Sequence, residues 1–153
     1  MYYAIHEGTF VLTDAALDRT VNMLMLNQGP GGFNLVISRG RLREGEGLDA
    51  FIAREWRLAT REAPKLTERS REAVTVGGRP GIQIEATQEQ DGKLRHQLQS
   101  VFPADDNGSV LVMTLTCASP LSEEQRATAD RMLDSFEPRV ARPTLVEPPE
   151  DAK

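Results

Sequence analysis

Three turns, Gly77-Gly78, Asp91-Gly92 and Asn107-Gly108, punctuate the second half of the chain and constrain it more than any other feature. Asn-Gly and Asp-Gly supply the positive backbone φ that tight hairpins require, so the segments between them read as an antiparallel meander whose connections run slightly beyond two residues. The Gly77-Gly78 turn brings Val74 and Val76 back beside Ile82 and Ile84. Successive residues of a strand face opposite ways. In residues 110–117, Leu111, Met113, Leu115 and Cys117 therefore share one face, Val110, Val112, Thr114 and Thr116 the other, and neither is charged. In residues 94–102, Leu94, His96, Leu98, Ser100 and Phe102 stand opposite Arg95, Gln97, Gln99 and Val101. The first half adds strands from Tyr3 to Leu12, Val21 to Leu26 and Phe33 to Ser38, with the loop Asn27-Gln28-Gly29-Pro30-Gly31-Gly32 between the last two.

Two helices complete the pattern. In residues 47–63, Leu48, Phe51, Ile52, Trp56 and Ala59 recur near the 3.6-residue period, and Pro64 opposes continuation. In residues 122–136, Ala129, Met132, Leu133 and Phe136 form a second stripe, opened by the capping-box pair Ser122 and Gln125. The order β-β-β-α-β-β-β-β-α predicts an α+β domain, an antiparallel β-sheet flanked by helices, over residues 1–138. Residues 139–153, with four prolines from Glu137 onward, predict a flexible tail. Helices that cover one sheet face leave Val21, Met23, Val36, Val112 and Thr114 on the other, more apolar than a solvated face should be. Met23 and Met25 share a face there and suit either a core or an adaptable docking surface for an apolar helix.

Composition narrows the function classes. The 153 residues, 39% hydrophobic and 27% charged, are those of one ordinary domain. A net charge of −5, with 18 basic residues interleaved among 23 acids, lacks the basic cluster that nucleic acid or an anionic membrane would need. The single cysteine, Cys117, excludes an intrachain disulfide and a cysteine-built zinc site, and reads as a small buried hydrophobe. MYYAIHEGTFVL has no signal-peptide layout, so the expected compartment is the cytoplasm. Catalytic candidates are sparse. His6 lacks a second histidine at i+4 and reads as structural, and His96 reads as a hydrogen-bonded sheet histidine, with general base as its functional alternative. Gly29-Pro30-Gly31-Gly32 lacks the Lys-Ser/Thr of a P-loop, and Asp105-Asp106-Asn107-Gly108 lacks the remaining ligands of a calcium loop. No metal or cofactor is expected.

Taken in order, YAIHEGTFVL, DRTVNMLML, NLVISRG, LDAFIAREW, VGGRPGIQIEA, QSVF, VLVMTLT and MLDSFEPR resemble the DcrB-like family, and more narrowly the Eag (effector-associated) chaperones of bacterial type VI secretion, over about residues 2–139. The resemblance implies a Mog1/PsbP-like α/β sandwich, a homodimer, and no enzymatic activity. It also implies a hydrophobic groove that shields the N-terminal transmembrane helices of a PAAR-containing effector and helps load it on the spike. Carried over to this chain, the groove comprises Val21, Met23, Val36, Ser38, Leu98, Ser100, Val112 and Thr114. Ser38, Ser100 and Thr114 would hydrogen-bond polar or small residues of the bound helix. Glu55 and Ser100 stand where glutamine is expected in relatives. Two other readings compete. One is a DcrB- or PsbP-like accessory binding protein of an envelope or membrane complex, of a kind that usually carries an export signal. The other is a small-molecule enzyme built on His96, for which a convergent set of polar groups is missing.

Overall fold

In a computed structural model, which describes residues 2–5, 7–11, 21–26 and 32–139, the glycine-marked turns organise a six-stranded antiparallel sheet. Its strands are β3 (Asn22–Leu26), β4 (Phe33–Arg41), β5 (Thr67–Val76), β6 (Arg79–Gln90), β7 (Lys93–Pro103) and β8 (Ser109–Cys117), in the order β3-β4-β8-β7-β6-β5. The segment expected as one strand from Tyr3 to Leu12 is instead two short strands, β1 (Tyr2–Ile5) and β2 (Gly8–Val11), paired as a separate hairpin. His6, Leu12, residues 27–31 and the tail beyond Arg139 lie outside the described residues.

Two of the turns are tighter than expected. Val76 pairs with Arg79 and Gln90 with Lys93, so Gly77-Gly78 and Asp91-Gly92 are true two-residue loops. All four central residues have positive φ, 59° and 77° in the first, 53° and 75° in the second, which matches the twist of the flanking strands. The tight first turn also corrects the expected pairing. Val74 lies opposite Gly81 and Ala73 opposite Ile82, so Val74 and Val76 face away from Ile82 and Ile84. The third connection is longer, with Asp105 Oδ1 accepting from the Asn107 and Ser109 backbone N–H groups at 2.8 and 3.2 Å.

Helix α1 (Leu48–Glu62) follows β4, and helix α2 (Glu123–Asp134) follows β8. The capping box of α2 forms as its sequence predicts. Ser122 Oγ accepts from the Gln125 N–H at 3.1 Å while Gln125 Oε1 accepts from the Ser122 N–H at 2.9 Å. The helices do not share a face. Phe51 and Ile52 of α1 pack with Ile84, Val101 and Val110, whereas Ala129 of α2 packs with Phe33, Leu35, Leu98 and Leu115. Since Val101 pairs with Val112 while Leu98 pairs with Leu115, these sets belong to opposite sides of the sheet. The expected α+β architecture, an antiparallel sheet flanked by helices, is therefore present with one helix on each face. The α2 side is further secured by the Arg126 guanidinium, which donates to both Glu85 carboxylate oxygens at 3.1 and 2.5 Å, and by Phe136 edge-on to Phe102.

Candidate functional site

Helix α1 is too narrow to cover its whole side of the sheet. It sits over β6, β7 and the start of β8, and beside it a cleft of about 510 Å³ opens between the helix and the strands β4, β8 and β7. Two local features hold α1 there. Gly40 lets the Phe51 ring approach the β4 backbone so closely that a Cβ at Gly40 would stand 2.5 Å from it. Arg54 donates to Glu46 at 3.1 and 2.8 Å and to the Arg41 carbonyl at 3.1 Å, and its guanidinium stacks 5.2 Å above the Phe51 ring. That hydrogen-bonded guanidinium holds the Glu46 carboxyl below its usual range.

The floor of the cleft consists of cross-strand rows. Ser38, Val112 and Val101 form one, Val36, Thr114 and Gln99 the next, and Thr116 with Gln97 a third. Trp56, Ala59 and Ala63 form the α1 wall, joined by Glu55 and Glu62, with Leu66 just beyond the helix. The polar floor residues bond among themselves. Gln97 Nε2 donates to Gln88 Oε1 at 3.0 Å and Gln99 Nε2 to Thr114 Oγ1 at 3.4 Å. Such amides and hydroxyls retain further donor and acceptor capacity toward a ligand.

Four of the eight residues assigned to the groove, Val36, Ser38, Val112 and Thr114, line this cleft and are half-buried. Met23 pairs with Val36 and so extends the same sheet face beyond the cleft, 71% exposed, with Met25 at 82% and Val21 just before β3 at 56%. Leu98 and Ser100 are corrected by the structure. They lie on the α2 side, each 5% exposed, because odd positions of β7 pair with even positions of β8. Ser100 instead accepts from Gln83 Nε2 at 3.2 Å, beneath α2. The polar side chains of β7 and β8 that do line the cleft, besides Thr114, are Gln97, Gln99 and Thr116, which sequence reasoning passed over. Asn107-Gly108 alone does not reveal them, because the connection is longer than a two-residue turn. Pro103 pairs with Val110 across residues 104–109, and it is that even span which sets Gln97 opposite Thr116 and Gln99 opposite Thr114.

The remaining candidates are elsewhere. His96 stands on the α2 side between Thr87 and Cys117. Cys117 is buried, its thiol donates to the Ser119 carbonyl at 2.9 Å, and burial pushes its pKa up, away from the reactive thiolate. Among the described residues no group of three or more His, Cys, Asp or Glu side chains could hold a metal ion, and no helix is long and apolar enough to cross a membrane. What the cleft offers is apolar area with neutral hydrogen-bonding groups set into it, a surface for binding.

Similarity to other proteins bears on the fold and the family. The crystal structure of PA94, a Pseudomonas aeruginosa protein of unknown function, matches with a TM-score of 0.71 at 20% identity, covering 92% of this chain and 98% of that one. The solution structure of cyanobacterial PsbP from Synechocystis sp. PCC 6803 gives a TM-score of 0.46 at 13% identity, over 87% of this chain and 86% of that one. No curated protein matches the sequence. The DcrB family model matches residues 7–135, nearly the whole folded part, and the chain belongs to the DcrB family.

Proposed function

We propose that this member of the DcrB family is a binding protein whose cleft between α1 and the sheet holds an apolar helical segment of a partner. The observation that carries this reading is the lining itself. Val36, Val112 and Trp56 stay half-exposed beside a ladder of glutamine and threonine side chains, and the same face continues over the exposed Met23 and Met25. Each Å² of apolar surface covered contributes about 25 cal/mol, so a groove of this kind can hold a helix reversibly. The amides and hydroxyls suit the small or polar residues that membrane helices use to contact one another.

The resemblance to Eag chaperones makes the partner specific. It is the N-terminal transmembrane helices of a PAAR-containing type VI effector, shielded in the cytoplasm by a homodimer of this chain until the effector is loaded on the spike. The broader reading, an accessory protein of an envelope or membrane complex, shares the cleft and differs in the cargo. Co-expression with an effector's N-terminal transmembrane fragment, followed by co-purification, tests the proposal. A soluble complex that is lost in folded Met23→Asp and Val112→Asp variants supports it. Absence of a complex, or indifference to both substitutions, refutes the effector-chaperone reading.

A further inference from the structure

The cleft is not the same at its two ends. Phe51 packs on Gly40 at the β4–α1 end, and at the other end Lys65, just past α1, pairs with Glu89 near the close of β6 at 3.1 Å. Helix α1 therefore runs along the sheet in the direction of β8, lining the cleft from Phe51 to Ala63, about 18 Å at 1.5 Å per residue. Along that path the floor grades from Val101 and Val112 to Gln97 and Thr116.

The charges are graded too. Of the two carboxylates lining the cleft, Glu55 shares Arg54 with Glu46, whereas Glu62 has no ion-pair or hydrogen-bond partner among the described residues. Glu62 is also the last residue of α1, where the helix dipole already places negative potential, so its charge adds to that pole. Lys65 is engaged by Glu89, and Arg61 is not part of the cleft lining. What separates the two ends is therefore the pole of α1. At the Ala63 end the unpartnered Glu62 stands at the carbonyl terminus of the helix, with Arg61 beside it outside the cleft, while Glu55 lies further toward the N-terminal end and shares Arg54 with Glu46.

From this we infer that the cleft orients its occupant: an apolar helix lies antiparallel to α1, with a basic N-terminal flank against Glu62. The inference rests on the reading of the cleft as a helix-binding groove and adds a direction and a charge requirement to it. A helix N-terminus carries positive potential, so the occupant's own dipole and a flanking Lys or Arg favour the same placement. The reverse orientation would set the carbonyl end of the occupant against both Glu62 and the carbonyl end of α1.

The test uses the full chain and two capped leucine-alanine helical peptides of about 12 residues, matched to the cleft length. One carries two lysines at its N-terminus and the other carries them at its C-terminus. Binding is followed through Trp56, the chain's only tryptophan, which lines the cleft. Comparison with Glu62→Gln cancels the peptides' intrinsic difference in helicity. The N-terminal-lysine peptide is expected to gain roughly two- to fivefold in relative affinity from Glu62, as befits an exposed ion pair. Glu62→Lys is expected to invert that preference, and salt at about 1 M to erase it. If both peptides bind and their ratio is the same in native protein, Glu62→Gln and Glu62→Lys, the orientation is overturned while the groove stands. If neither peptide perturbs Trp56, the groove reading falls and the orientation falls with it.

Discussion

Gly40 and Arg54 decide where α1 rests. Replacing Gly40 by alanine puts a methyl group into the ring of Phe51, itself only 2% exposed, so the ring and with it α1 must shift. Gly40→Ala is therefore expected to cost about 1–3 kcal/mol, read as a lower urea midpoint, and the cleft-lining Trp56 should report the displaced helix by a changed emission. Arg54 makes a pH-dependent contribution through Glu46. Because the guanidinium holds the folded carboxyl below its ordinary value, its stabilisation is complete above the usual carboxylate range and is lost as pH falls through the lower folded value. In thermal melts from neutral to about pH 3, the gap between native protein and Arg54→Met should narrow as the medium becomes acid. A constant gap would assign Arg54 to packing alone. Neither residue announces its role in sequence. A glycine inside a strand pattern signals close approach of something, but only the fold identifies the Phe51 ring.

The elements themselves were largely legible. Helix α1, expected over 47–63, spans Leu48–Glu62, and α2, expected over 122–136, spans Glu123–Asp134, because apolar period, Pro64 and the Ser122–Gln125 box are all local signals. Ser122→Ala removes one half of that box and should cost about 0.5–2 kcal/mol in a denaturant melt. The Asp91-Gly92 turn offers a cleaner measurement. A Cβ at Gly92 would meet nothing within 4 Å, yet its φ is 75°, so Gly92→Ala isolates backbone strain and should cost about 1–2 kcal/mol without disturbing any contact. The edge strands differ in a way that composition alone foreshadows. β5, with TERSREAVTV, carries charges that discourage edge pairing, whereas β3, with NMLML, presents Met23 and Met25. The segment from Tyr3 to Leu12 was misread as one strand, although the polar pair His6-Glu7 followed by Gly8 interrupts its apolar pattern where β1 ends and β2 begins.

For the whole molecule, the decisive fact is that one helix lies on each side of the sheet. It predicts that two valine- and leucine-bearing positions grouped together from sequence behave oppositely. Leu98→Ala, beneath α2, should cost about 2–5 kcal/mol, and Leu98→Asp should prevent folding. Val36→Ala, half-exposed to the cleft, should cost about 1 kcal/mol, and Val36→Asp should leave a folded protein that no longer retains an apolar helix. Circular dichroism with peptide binding separates the outcomes, and equal loss of fold in both aspartate variants would refute the two-sided assignment.

The chain's own sequence determined its turns, helix boundaries and the alternation within each strand, because backbone sterics, capping and periodicity act over a few residues. The parity of β7 against β8 was not among these, because the connection from Pro103 to Val110 is longer than its Asn107-Gly108 pair would make by itself. What only the tertiary structure decided is which side each helix takes and how far α1 reaches across its side. Those depend on contacts between segments far apart in the chain, Phe51 on Gly40 and Arg126 on Glu85 among them, and the uncovered strip that α1 leaves over Val36 and Val112 is their consequence.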